Sequence, residues 1–196
     1  MRTLQRSFQR AGYPLKYSEG FNPHPLLSVA LPMSVGISSD CEILDFKMDE
    51  EPSDREHAAQ NITRALPEGL EIQEIYYPEI KVSAIKWLRI EGILDYDAGV
   101  SEDLILKLKD VFHQDTIEVL KKTKKGEQIF DCKPHLKELV ILPFNDRQVK
   151  LEAVISAQNP TVNPNLLIKA IPDQWKPDFS RFHRIEVYDE EMSIFR

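Results

Sequence analysis

The residues best able to do chemistry lie in one short loop, residues 17–25, with the sequence Tyr-Ser-Glu-Gly-Phe-Asn-Pro-His-Pro. Gly20 can adopt a positive φ, and the prolines on either side of His24 stiffen the backbone. Such a loop can hold an amide and an imidazole in fixed directions, where they bind a phosphate, a base edge or a carboxylate. We therefore predict a loop that binds a ligand or partner, made by Tyr17, Ser18, Gly20, Phe21, Asn22, Pro23, His24 and Pro25.

Two other interpretations of this loop stay open. In the first, the loop is a structural turn in which Asn22 caps backbone groups and His24 satisfies a carbonyl. In the second, the chain is an enzyme in its own right, with His24 as general acid or base and Glu19 or an arginine assisting. The candidate catalytic residues are then His24 and Glu19.

Two groups of basic residues are secondary candidates for binding an anion or a nucleic acid. Three arginines spaced four apart share one face of the predicted first helix. A run of lysines flanks Gly126 at a predicted hairpin turn. The simpler interpretation of both groups is a solvated surface. The residues selected from them are Arg6, Arg10, Lys122 and Lys124.

Several cofactor and catalytic motifs are absent from the sequence. Two cysteines are too few to hold an iron–sulfur cluster through thiolates alone, and the five histidines show no paired zinc-binding spacing. There is no Walker-type phosphate loop, no Gly-x-Gly-x-x-Gly and no Gly-x-Ser-x-Gly. The net charge of −7 disfavours non-specific binding to nucleic acid. We expect no metal and no cofactor in this chain, and an accessory protein more than an enzyme.

The expected location also follows from what the sequence lacks. No stretch approaches the roughly 18–20 apolar residues that span a bilayer, and no apolar core follows the first arginines as it does in a secretory signal. Without export, Cys41 and Cys132 are expected to be free, buried thiols. We therefore expect a cytoplasmic protein with no membrane association.

The elements that must position the loop follow from hydrophobic periodicity. The first half reads as helices over residues 1–12 and 53–66, with strands over 26–31, 41–48 and 70–77. The second half reads as strands over 85–94, 116–122, 136–142, 149–157 and 184–188, a helix capped by Ser101 and a short helix from Pro164. This second order is that of a ferredoxin-like split βαβ unit with an extra strand. We predict an α+β protein of tandem ferredoxin-like halves, residues 1–80 and 81–196, the first lacking its opening strand.

Three stretches of the sequence carry a resemblance to a known family. They are YSEGFNPHP with the following LLSVALPMSVGISSDCEILDF, the central KKGEQIFDCKPHLKEL, and NPTVNPNLLIKAI with FHRIEVY. The chain resembles the radical SAM-linked proteins, a family of uncharacterised domains found alone or joined behind a radical SAM enzyme. Relatives usually begin with a strand and a His-Leu-Asp segment before the first helix seen here, so the resemblance also implies a missing opening strand.

The resemblance implies a partner, a radical SAM enzyme that itself carries an iron–sulfur cluster and S-adenosylmethionine. We expect an accessory or recognition module that works with this enzyme and presents an RNA or a protein substrate through the loop at residues 17–25. RNA enters by analogy, because tandem ferredoxin-like folds occur in RNA-processing proteins, and fold alone does not fix function. A purely structural domain that binds another protein is the remaining alternative.

Overall fold

The computed structural model describes residues 1–123 and 126–196, and it confirms the α+β class. Its α-helices in these ranges are α1 (Arg2–Arg10), α2 (Arg55–Ala65), α3 (Glu102–His113) and α4 (Asn165–Ala170). Its strands there are β1 (Leu27–Val29), β2 (Ile37–Ser39), β3 (Leu44–Phe46), β4 (Trp87–Asp95), β5 (Glu118–Thr123), β6 (Gly126–Asp131), β7 (Leu136–Asn145), β8 (Gln148–Ser156) and β9 (Phe179–Tyr188). No helix within the same ranges is long and apolar enough to cross a membrane.

The chain divides into two compact units. The first unit combines Met1–Pro32 with Glu42–Ile80, and the second combines Met33–Cys41 with Lys81–Arg196. The segment Met33–Cys41 thus belongs to the second unit although it lies within the first half of the sequence. The predicted domains, residues 1–80 and 81–196, are continuous stretches and place this segment in the first domain instead.

The first unit is built around a small apolar core. Phe8, Leu15 and Ile62 are buried together, and the ring of Phe8 meets that of Phe46 edge-on with centroids 4.9 Å apart. Strands β1 and β3 pair antiparallel beside this core. The base of the loop at residues 17–25 is anchored here, because Leu15 forms an isolated antiparallel bridge with Met48.

The second unit is built on a five-stranded sheet with the order β2-β9-β4-β8-β7. The short edge strand β2 runs parallel to β9, and the other neighbours are antiparallel. Strands β5 and β6 form a separate two-stranded hairpin. One face of the sheet is buried and carries apolar side chains, including those of Ile90, Leu151 and Phe182. The opposite face of β4, β8 and β9 carries mostly polar side chains, because residues along a strand alternate between faces.

The structure does not confirm a tandem of ferredoxin-like halves. Among the described residues, the first unit contains only the two-stranded β1–β3 sheet, and the predicted strand over residues 70–77 does not form. In that stretch the backbone N–H of Ile72 donates to Thr63 Oγ1 at 2.9 Å instead of to a neighbouring strand. The helix predicted over residues 53–66 begins slightly later, because Asp54 caps α2 by accepting from the backbone N–H of His57.

Candidate functional site

The loop at residues 17–25 closes on itself through its own backbone. The N–H of Ser18 donates to the carbonyl of His24 at 2.9 Å, and Tyr17 and Pro25 form an antiparallel bridge. One residue further out on each side, the N–H of Leu26 donates to the carbonyl of Lys16 at 2.7 Å. These bonds make the loop a narrow hairpin, and its two prolines restrict the backbone further.

The side chains of Ser18 and His24 reinforce this closure. Ser18 Oγ accepts the backbone N–H of His24 at 3.1 Å and lies 2.9 Å from His24 Nδ1. The hydroxyl can donate to Nδ1 while it accepts from the backbone, which places the imidazole proton on Nε2. Both partners are therefore engaged in holding the loop shut.

The tip of the loop presents Phe21 to solvent. Gly20 has φ +116°, a conformation open to glycine, and it turns the chain directly before Phe21. The side chain of Phe21 is fully exposed, at 106% of its reference area, and Asn22 is exposed beside it. The exposed polar residues of the loop thus lie beside an aromatic side chain that is not buried in this chain.

The structure does not bring the two candidate catalytic residues of the loop together. No hydrogen bond or ion pair joins Glu19 to His24 among the described residues, and both side chains are exposed. A general base needs an orienting partner or a substrate within hydrogen-bonding reach. The partner that His24 has is Ser18, and that contact belongs to the closure of the loop.

A second constellation, which we call the Ser–His–Asp site, consists of Ser38, His183 and Asp40. Ser38 Oγ lies 2.7 Å from His183 Nδ1, and His183 Nε2 lies 2.8 Å from Asp40 Oδ2. The side chain of His183 is 32% exposed and that of Asp40 is 66% exposed. A hydroxyl, an imidazole and a carboxylate in this order form the geometry of a serine nucleophile with its base and the group that orients the base.

The strands place this site at the edge of the second unit's sheet. Ser38 is directly opposite His183 in the parallel pairing of β2 with β9, and His183 is opposite Glu91 of β4, which is opposite Glu152 of β8. Lys150 Nζ lies 2.8 Å from a carboxylate oxygen of each of these two glutamates. Hydrogen bonds to Glu152 and Glu91 raise the pKa of Lys150, so the ammonium group of Lys150 keeps its positive charge between the two carboxylates.

Sequence reasoning missed the Ser–His–Asp site. Ser38 and Asp40 are two residues apart, but His183 lies 143 residues beyond Asp40. Only the pairing of a three-residue strand with β9 brings them together, and residues 33–41 carry no alternation that would predict this strand. The single usable signal was the Ser-Ser-Asp run itself, which has many ordinary explanations.

A comparison with protein families establishes the relationship of this chain. A family model described as "Uncharacterized protein conserved in bacteria (DUF2344)" matches residues 1–164. The chain belongs to this family. The matched stretch includes the loop at residues 17–25, Ser38 and Asp40, and it ends before His183. No curated protein matches the chain.

Two of the four secondary basic candidates, Arg10 and Lys122, have local partners. Arg10 donates to the carbonyl of Ala65 at 2.5 Å and to Ser7 Oγ at 3.1 Å, so it closes the C-terminal end of α2. Arg6 is exposed on α1. Lys122 lies 3.8 Å from Glu127 across the hairpin of β5 and β6. Lys124 lies outside the described residues.

The described part of the chain contains no group of three His, Cys, Asp or Glu side chains placed to hold a metal ion. Cys132 is a free, buried thiol as expected, whereas Cys41 is only partly buried. Burial raises the pKa of Cys132 to about 11, so this thiol stays protonated at neutral pH.

Proposed function

We propose that this chain is a recognition module that binds a partner protein through the tip of the loop at residues 17–25, and that the partner is a radical SAM enzyme. The observation that carries the proposal is the complete exposure of Phe21 on a loop closed by its own hydrogen bonds. A single exposed apolar side chain is ordinary on a protein surface. An aromatic side chain presented at the end of a stiff hairpin has the form of an interface anchor.

The stiffness of the loop matters for binding. Ordering a flexible segment on association opposes binding, and a loop that is already fixed avoids most of that loss. Ser18 and His24 fix the stem, while Pro23 restricts the backbone between them. Phe21 and Asn22 are then left to contact a partner, one through apolar burial and the other through hydrogen bonds.

The charge of the first unit favours a protein over RNA as the partner of this loop. Its sequence contains seven lysines and arginines against twelve aspartates and glutamates, a net charge of −5. Contacts to phosphates need clustered cations, and an acidic surface repels the backbone of a nucleic acid. One of the seven cations, Arg10, is already bonded to the carbonyl of Ala65.

The identity of the partner rests on the resemblance to radical SAM-linked proteins. In this proposal the enzyme supplies the iron–sulfur cluster and S-adenosylmethionine, and this chain supplies recognition. We also infer that the second unit is a ferredoxin-like unit. Its strands β9-β4-β8-β7 and helices α3 and α4 support this, since they occur along the chain as β4-α3-β7-β8-α4-β9 with one inserted hairpin.

The test is co-purification from the native host under anaerobic conditions. The tagged chain is compared with Phe21→Ser and with Val35→Ser, and the recovered proteins and RNA are identified. Val35 is the matched control, because it is also fully exposed, at 103%, and also neighbours a glycine with positive φ, Gly36. Each variant is first shown to keep the melting temperature of the parent.

The expected result is a radical SAM enzyme that accompanies the parent and Val35→Ser but not Phe21→Ser. A radical SAM enzyme that accompanies all three equally would assign the contact to another surface. Recovery of RNA alone, with equal yield from parent and Phe21→Ser, would contradict both the class of the partner and the site.

A further inference from the structure

We propose that the Ser–His–Asp site is a nucleophilic centre that accepts an acyl group from an ester at Ser38. Ser38 is the nucleophile, His183 is the base, and Asp40 is a positioning residue for the imidazole. The distances of 2.7 Å and 2.8 Å place both contacts within hydrogen-bonding reach. This proposal is independent of the recognition function assigned to the loop.

The hydrogen bonds define which nitrogen acts as the base. Asp40 Oδ2 accepts from His183 Nε2, so the proton of the neutral imidazole is on Nε2 and the lone pair of Nδ1 faces Ser38 Oγ. Better-known triads use the two ring nitrogens in the opposite sense, with the serine at Nε2. Either nitrogen can take a proton, and what matters is that the carboxylate fixes the tautomer and the ring orientation.

The side-chain network exceeds what strand pairing requires. Residues 37–39 pair with β9 through their backbone, and the N–H of Asp40 donates to the carbonyl of Arg184 at 3.0 Å. The neighbouring Ser39 has an ordinary structural contact, because its Oγ accepts the backbone N–H of Cys41 at 3.2 Å. Ser38, one residue earlier and exposed, is directed at the imidazole.

The reaction proceeds in two balanced steps. Ser38 Oγ attacks the acyl carbon, its proton moves to His183 Nδ1, and the leaving alkoxide or phenoxide departs with that proton. The products are an acyl-Ser38 ester and the free alcohol or phenol. Water then attacks the acyl ester with His183 as base, which releases the carboxylic acid and restores the Ser38 hydroxyl.

The exposure of the site determines the class of substrate. Ser38 and Asp40 are at the surface, so the reacting carbonyl must be accessible and the ester activated by a good leaving group. Bulk water also weakens the electrostatic contribution of Asp40, because exposed charge pairs are screened. We therefore expect slow turnover with an aryl ester, and the first step is the one to measure.

The experiment uses the full chain with p-nitrophenyl acetate. Release of p-nitrophenolate is followed together with intact mass and mapping of the acetylated peptide. The parent and all variants carry Cys41→Ala, because a thiol three residues from Ser38 would compete for the acetyl group. The set is Ser38→Ala, His183→Gln, Asp40→Asn and Asp40→Glu, with Ser39→Ala and Ser28→Ala as matched controls.

The expected result is one acetyl group on Ser38, absent from Ser38→Ala and unchanged in both control variants. Loss of the base in His183→Gln should slow acetylation of Ser38 by about 100-fold. Asp40→Asn should slow it by roughly 10-fold, and Asp40→Glu should recover part of the rate, which a merely structural role would not predict. Melting temperatures identify any variant that fails to fold, and His183→Gln tests the idea even where Ser38→Ala is unstable.

Three outcomes would overturn the proposal. They are no acetylation of Ser38 in the parent, equal acetylation of Ser38 with His183→Gln, and acetyl groups spread over surface lysines alone. The reaction at Ser38 is measured on the purified chain without a partner, so failure here and failure of the recognition function are separate results.

Discussion

Two regions of this molecule each place a serine hydroxyl against a histidine, and they differ in what else the pair contacts. In the loop, Ser18 Oγ lies 2.9 Å from His24 Nδ1, and in the sheet, Ser38 Oγ lies 2.7 Å from His183 Nδ1. Ser18 also accepts the backbone N–H of His24, so its hydroxyl is committed to the loop. His183 instead has Asp40 on its other nitrogen.

The difference shows that a Ser–His contact alone does not indicate chemistry. The third group in contact with the pair distinguishes a structural role from a reactive one. A backbone N–H that donates to the hydroxyl favours a structural role, whereas a carboxylate bonded to the imidazole favours a role for the imidazole as a base. In our two proposals, the loop pair holds the hairpin that presents Phe21, and the sheet pair activates Ser38. Each of the following predictions concerns one of the two units that hold these pairs.

The largest effect is expected from Phe8→Ala, which removes the centre of the first unit's core. Phe8 is fully buried and contacts the ring of Phe46 at 4.9 Å. Loss of a buried phenylalanine should lower the free energy of unfolding by about 3–5 kcal/mol. Hydrogen exchange of amides in the first unit and urea denaturation measure it. Leu70→Ala, at a half-exposed position, should change stability by less than about 0.5 kcal/mol; equal effects would contradict the assigned core.

A smaller effect is expected from Gly92→Ala, which disturbs the strand that carries His183. A Cβ at Gly92 would lie 2.6 Å from Cε1 of Phe182, whose ring is buried. Overpacking of this kind should lower the free energy of unfolding by about 1–3 kcal/mol. Because Phe182 precedes His183, acetylation of Ser38 should slow as well. Phe182→Leu added to Gly92→Ala should recover part of the stability, and an additive loss would refute the clash.

Alkaline pH should destabilise the second unit. Burial, with a smaller contribution from Asp178, raises the pKa of Tyr96 from 10.0 to about 12. Between these values the folded chain keeps a proton that the unfolded chain has lost, so the free energy of unfolding falls as pH rises through this window and is unaffected by Tyr96 below it. Urea midpoints measured across this range should fall less steeply for Tyr96→Phe. A parallel slope for both proteins would argue against the shift.

The smallest effect is expected from Ser18→Ala, which opens the brace of the loop. The variant loses the acceptor for the His24 backbone N–H, an exposed bond worth about 0.5–1 kcal/mol. The amide of His24 should therefore exchange roughly two- to fivefold faster. Ser28→Ala, at an exposed serine of β1, is the control and should leave this amide unchanged. Unchanged exchange in Ser18→Ala would mean that the prolines alone hold the loop.

Local features of this structure could be predicted from the sequence. The glycine and prolines predicted a stiff loop at residues 17–25, and the structure closes this loop between Ser18 and His24, six residues apart. The cap of α3 was also predicted, and Ser101 Oγ accepts the N–H of Leu104 at 3.1 Å. These contacts depend on neighbours in the chain, so short-range chemistry suffices to find them.

Long-range features could not be predicted. Strand β2 has three residues, and its place beside β9 depends on backbone pairing with residues about 145 positions away. A stretch this short has too few residues for alternation to show, and parallel pairing leaves no turn signal. The Ser–His–Asp site depends on the same pairing, so its three residues could not be connected from the sequence.

The most direct test of the proposed recognition function is the affinity of the purified chain for a radical SAM enzyme, the partner that we expect to co-purify with it. Calorimetric titration would compare the parent, Phe21→Ser and Val35→Ser. If Phe21 contributes at least about 2 kcal/mol to the binding free energy, as an interface anchor does, Phe21→Ser should raise the Kd about 30-fold or more. Val35→Ser should leave the Kd within about threefold, since exposed positions outside an interface contribute little. A Kd for Phe21→Ser equal to that of the parent would contradict the account.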